Sequence, residues 1–263
     1  MIIRGAESRM RDFTTPIVDL FFECTHYKPI DFILEFTDDL NLSRLNLSPK
    51  KLHQELKKYP YAPNTTGAIL LPYSKEDPPA ILIKKDSFNE DVVFIHDLTY
   101  YLSYLFDSRW SYKAADLEFS MYSTPSDILR IWCDWHAELL AYSCEIVLAS
   151  RSSVLSKQLL PRFQEEDLLI RQELYPSLIE EKINPHIFLT HVMRVLGTYV
   201  AFNMVYPKLF NKNTLPEALT NICGNKIKTL FTFLCNTKTN KELVPKIAEF
   251  DSLIESLIIY SYS

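Results

Sequence analysis

The sequence predicts an α+β fold that is mostly helical, with a small antiparallel sheet in the N-terminal half and helices alone in the C-terminal half. Three observations predict it. Only four glycines occur in 263 residues, so few positions allow positive φ, and many tight hairpins are excluded. Two short Ile/Leu-rich runs, "TTGAILLPY" (65–73) and "PAILIKKD" (79–86), flank the polar "SKEDP" and read as an antiparallel strand pair. From residue 155 to the end no run has strand character, while apolar residues recur at helical spacing.

In chain order, residues 12–58 read as two or three helices broken at Pro16, Pro29 and Pro49. In "SPKKLHQELKKY", Ser48 is a cap, Pro49 takes the first helical position, and Leu52 and Leu56 lie four apart on one face. After the strand pair, a helix starts near Asn89 and runs to about 106, with Glu90 and Asp91 in its first turn, where the helix dipole favours negative charge. A loop follows over 107–125. Ser126 or Thr124, with Pro125, then opens a long helix, "DILRIWCDWHAELLAYSCEIVLAS" (127–150). The remainder is helical, with breaks expected near Pro161, Pro176, Pro185, Pro207 and "NKNTLP" (211–216). A boundary near "SRSSVLS" (150–156) divides 1–150 from an all-helical 151–263, and the second part is either packed as one unit with the first or independent of it.

Composition narrows the function classes. Hydrophobic content of 47% with 23% charged residues is that of a globular protein. A net charge of −5, with the basic residues in short runs, shows no clear nucleic-acid surface. The apolar "IFLTHVMRVLGTYVAFNMVY" (187–206) is interrupted by His191 and Arg194 and reads as a buried helix, not a membrane span. Five widely spaced cysteines without a CxxC pair fit reduced thiols in the cytoplasm. Cys144 has no histidine on its face, and no glycine-rich phosphate loop or nucleophile elbow occurs.

The chemistry-bearing residues sit on two helices. A rotation of about 100° per residue puts His96 and Tyr100 roughly 40° apart, while Phe94, Leu98, Tyr101 and Leu105 occupy the opposite arc. On 127–150, Asp134, Glu138, Tyr142 and Glu145 fall within about 40° of one line, and His136 points about 160° away from Glu138. Three acids on a Trp/Leu/Ile-rich helix require compensation by solvent, a metal, or partners such as His96, Tyr100, lysine or arginine. Trp110, Trp132 and Trp135 read as core, and His186 and His191 as structural.

The string His96-Asp97-Leu98-Thr99-Tyr100 has the spacing of H-E-x-x-H, in which two histidines four apart bind one zinc and the glutamate activates water. Two short strands, "FIHDLTYYL" and then "WHAELLAY" follow one another in the order of the ImmA/IrrE-type zincin metallopeptidases, which the region 60–150 resembles. In that group a later E-x-x-A supplies a third ligand, here matched by Glu138 and Ala141. The resemblance implies a zincin-like domain over 1–150, a cytoplasmic bacterial or phage-related source, and regulators that act on a DNA-binding partner. It also implies His96, Tyr100 and Glu138 at the metal positions and Asp97 at the base position, as a degenerate H-D-x-x-Y set. A phenol with its ordinary pKa near ~10 is a costly zinc ligand at neutral pH. Aspartate falls short of glutamate's reach by about 1 Å, and misplacement on that scale can cost ~10²-fold in rate.

Three functions follow from these residues. The first is a pseudoenzyme: a zincin-like protein without the standard zinc set that acts as a binding or regulatory protein, with a protein partner and no cofactor. The second is an active, zinc-dependent peptidase using His96 and Glu138 as ligands. The third is a helical interaction protein unrelated to zincins, which predicts no strand pair beside the 89–106 helix. The aromatic-rich C-terminal helices, including "FDSLIESLIIYSY" (250–262), serve either as core or as a homo-oligomer interface.

Overall fold

A computed structural model describes residues 1–25, 27–72, 77–89, 92–114, 127–151, 153–181 and 184–262. The chain divides into two compact units, Met1–Pro125 and Ser126–Ser263. The division lies ahead of the position near 150 expected from sequence, because the helix over 127–150 packs with the C-terminal helices.

The N-terminal unit contains, in order, β1 (Ile2–Arg4), α1 (Ser8–Thr25), β2 (Ile33–Thr37), α2 (Leu40–Asn46), α3 (His53–Lys58), β3 (Gly67–Leu70), β4 (Ala80–Lys84) and α4 (Val92–Ala114). Its sheet has the order β1-β2-β4-β3. The expected β3/β4 pair is antiparallel, with Ile69 opposite Ile81. The sheet as a whole is mixed and not antiparallel, because β4 also pairs in parallel with β2, and β2 with β1.

β2 lies inside the 12–58 stretch expected to be helical, and β1 precedes it. β2 is five residues long and lies between two neighbours, so Ile33, Leu34 and Phe36 are all buried and no period-two alternation marks it. Ile33, Leu40, Leu70, Ala80 and Leu82 form a cluster on the α2 side of the sheet. Phe36 packs instead with Phe88 and Phe94, and Phe13 of α1 meets the same two rings. The unit is thus layered, with α2 on one side of the sheet and α1 and α4 on the other.

Pro16 lies inside α1 and does not end it. Its ring is exposed, so the carbonyl left without an N–H donor faces water, while Met10, Thr14, Ile17, Val18 and Phe21 keep one buried stripe. Gly5 has φ +63°, and a Cβ there would stand 2.0 Å from the Phe36 carbonyl oxygen, so the turn out of β1 requires glycine. Around Pro49, Leu52 and Leu56 are buried as expected, and Ser48 Oγ donates to the Arg44 carbonyl at 2.6 Å. α4 extends to Ala114, eight residues past its expected end, so 107–114 of the expected loop is helix, and the rest of that loop lies outside the described residues. The turn residues 73–76, the first-turn acids Glu90 and Asp91, and the cap residues Thr124 and Ser126 lie outside the described residues.

The C-terminal unit is helical: α5 (Asp127–Ser150), α6 (Ser153–Glu181), α7 (Pro185–Val205), α8 (Glu217–Cys223), α9 (Lys226–Cys235), α10 (Asn240–Leu243) and α11 (Ile247–Tyr262). α5 packs most extensively on α7 and next on α6. The breaks expected at Pro161 and Pro176 do not occur, since α6 runs through both. The breaks at Pro185, Pro207 and 211–216 do. Trp132 and Trp135 are fully buried 4.5 Å apart, whereas Trp110 in the first unit is only half-buried. In α7, Ile187–Val205 is long and apolar enough to cross a membrane by length and composition, and 67% of that window is buried inside the structure.

Candidate functional site

α4 carries three of the four expected site residues. His96 is buried at 9% exposure, and Asp97 and Tyr100 are half-buried. The helix is held to the sheet by its other arc: Tyr101 Oη donates to the Gly67 carbonyl at 3.3 Å, and a Cβ at Gly67 would stand 2.7 Å from the Tyr101 ring. Glycine at the start of β3 therefore sets how closely the strand pair approaches α4. Thr99 Oγ1 donates to the backbone carbonyls of Ile95 (2.8 Å) and His96 (3.0 Å), and Ser103 Oγ to that of Thr99 (2.7 Å). These buried hydroxyls are satisfied by their own helix. The Tyr100 ring stacks on Tyr104, one turn further along the same face, with centroids 6.2 Å apart.

Glu138, the fourth expected residue, belongs to the other unit. As its helical phase predicts, it shares a buried line with Asp134 and Glu145. The compensation comes from hydroxyl and guanidinium donors of α6 and α7. Thr190 Oγ1 donates to Asp134 Oδ2 at 2.9 Å, Arg194 Nε to Glu138 Oε2 at 3.2 Å, and Thr198 Oγ1 to Glu138 Oε1 at 3.4 Å. Arg162 grips Glu145 with two N–H groups, at 3.1 and 3.2 Å. Thr190, Arg194 and Thr198 recur every four residues on α7, opposite Asp134 and Glu138 four apart on α5, so Asp134 meets Thr190 and Glu138 meets both Arg194 and Thr198. That "T-x-x-x-R-x-x-x-T" spacing is visible in the sequence.

Gly197 makes this pairing close. A Cβ there would stand 2.7 Å from the Trp135 carbonyl oxygen and 2.8 Å from Glu138 Cβ, so α7 approaches α5 where the ion pair forms. Glu138, Thr190, His191 and Arg194, with Ile170 and Ile187, line a cavity of about 340 Å³. His136 turns away from Glu138 as expected. Its Nε2 lies 3.0 Å from the Lys238 carbonyl, and its ring stacks with Trp132 and Trp135. The side chain of His186 lies outside the described residues.

A zinc ion needs deprotonated donors free to face it, with no cation held among them. The expected donor set consists of a histidine and a phenol on α4 and a carboxylate of the other unit that already accepts from a guanidinium. A dication at Glu138 would face the Arg194 charge across one hydrogen bond. The residues present do not fit a zinc site, and among the described residues no three His, Cys, Asp or Glu side chains gather as a metal-binding group. Comparison with protein-family models, with curated proteins and with solved structures gives no match to this chain.

Proposed function

We propose that this chain is a zincin-like protein with a degenerate metal site that acts as a non-catalytic regulatory protein by binding a protein partner. The observation that carries the reading is the Glu138 carboxylate: it accepts from Arg194 Nε and Thr198 Oγ1, a use that stabilises helix packing and leaves it poorly suited to a dication. The strand pair β3/β4 beside α4 supports the zincin-like frame and is what an unrelated helical protein does not predict. Asp97 in place of the longer glutamate and Tyr100 in place of a second histidine agree with lost catalysis.

The test is metal content. The full chain, incubated with millimolar zinc and desalted, is expected to retain sub-stoichiometric metal by mass spectrometry, and folded His96→Ala and Glu138→Ala variants are expected to retain no less. One zinc per chain, lost in both variants, together with zinc-dependent hydrolysis of casein, would overturn the proposal in favour of the peptidase reading.

A further inference from the structure

The positive charge of the C-terminal unit is concentrated. Residues 207–246 hold seven lysines against two acids, Glu217 and Glu242, in a chain whose net charge is −5. Three of these lysines, Lys212, Lys228 and Lys246, border a groove of about 650 Å³ formed by α9, the loop at 212–213 and the start of α11. Glu249 is the single carboxylate on its wall.

The lysines differ in what they already hold. Lys246 Nζ donates to Thr237 Oγ1 at 3.0 Å and to the Asn236 carbonyl at 3.4 Å, and lies 5.7 Å from the centre of the Phe233 ring. It is therefore a fixed charge set partly over an apolar floor of Phe233 and Leu253. Lys212 and Lys228 have no hydrogen-bond or ion-pair partner among the described residues, although Lys228 is half-buried. Lys228 and Thr232 on α9, with the capping residues Asn225 and Asn236 at its two ends, follow one another every three or four residues, so the groove-facing side is a row of polar side chains. A half-buried cation without a counter-charge costs solvation that an anionic ligand restores. The volume is that of a small-ligand site and accommodates more than one phosphate.

We propose that this groove binds a phosphorylated small molecule of nucleotide size, with phosphate oxygens on Lys212 and Lys228 and the rest of the ligand over Phe233 and Leu253. Glu249 is placed to accept from a hydroxyl or amino group of the same ligand. This proposal is independent of the zincin-like reading, since no residue is shared.

The test is calorimetric titration of the full chain with ADP, inorganic phosphate and a hexaglutamate peptide. ADP is expected to bind one per chain, at least about tenfold tighter than phosphate. Lys212→Ala and Lys228→Ala should each weaken it about tenfold, the loss of one charge-assisted contact. Lys241→Ala, an equal charge loss outside the groove, should change it by less than about twofold. The proposal is overturned if millimolar ADP does not bind, or if phosphate binds as tightly as ADP. Equal weakening by Lys241→Ala would reduce the effect to diffuse charge and also overturn it. Tighter, Lys228-dependent binding of hexaglutamate would assign the groove to an acidic protein segment instead.

Discussion

Gly197→Ala tests the close approach that brings Arg194 and Thr198 to Glu138. Alanine favours a helix over glycine by about 1 kcal/mol, so on propensity alone the variant would be stabilised. The added carbon, however, meets the Trp135 carbonyl oxygen at 2.7 Å and Glu138 Cβ at 2.8 Å. Ordinary contacts between such atoms are ~3.5 Å, so α7 must move off α5 by roughly 0.7 Å. Neither opposing atom is the flexible end of a side chain, and overpacking of this kind costs about 1–3 kcal/mol. The same shift stretches the Arg194–Glu138 and Thr198–Glu138 bonds, now 3.2 and 3.4 Å, beyond useful length around a carboxylate that is 5% exposed, adding about 1–2 kcal/mol. After the propensity gain is subtracted, the net loss is about 1–4 kcal/mol. Urea unfolding followed by tryptophan fluorescence, to which Trp132 and Trp135 on α5 contribute beside the contact, reads this with Trp110 as background from the first unit. A variant as stable as the parent or more so would refute the argument and return Gly197 to an ordinary helix position.

Two further outcomes rest on particular pairs. Arg162→Ala should destabilise the C-terminal unit by about 2–4 kcal/mol, because it removes both guanidinium bonds from Glu145, whose side chain is 1% exposed. Glu145→Leu combined with Arg162→Leu should recover most of that loss, and a double variant no better than the single one would contradict the desolvation argument. Glu242 closes a capping box at α10 with Thr239. The Lys238 backbone N–H, opposed by slight desolvation and helped by Thr239, lowers its pKa below the ordinary carboxylate range. A lowered folded-state value means the cap's stabilisation is present above the unfolded pKa of about 4.3 and is lost as pH falls through the lower value. Glu242→Gln should remove that acid-dependent part of the unfolding curve, and an unchanged pH dependence would count against it.

The sequence alone determined a good deal of this protein. Scarce glycine and helical periodicity predicted a mostly helical fold, and the two Ile/Leu runs predicted the β3/β4 pair. The phase of "DILRIWCDWHAELLAYSCEIVLAS" put Asp134, Glu138 and Glu145 on one line and His136 away from it. These are local patterns, fixed by backbone geometry within one element. β2 was not legible because a strand buried between two neighbours lacks period-two alternation, and β1, an edge strand of three residues, is too short to show a pattern. Pro16 and Pro161, expected as breaks, sit at exposed positions inside α1 and α6, where packing of the buried residues on the other face offsets the lost backbone bond. Above all, the sequence established that three acids on an apolar helix needed compensation, and left metal, solvent and base equally open. Only the tertiary structure decided for Arg162, Thr190, Arg194 and Thr198, because which charge meets which acid depends on the register of α7 and α6 against α5, and Gly197 sets that register at close range.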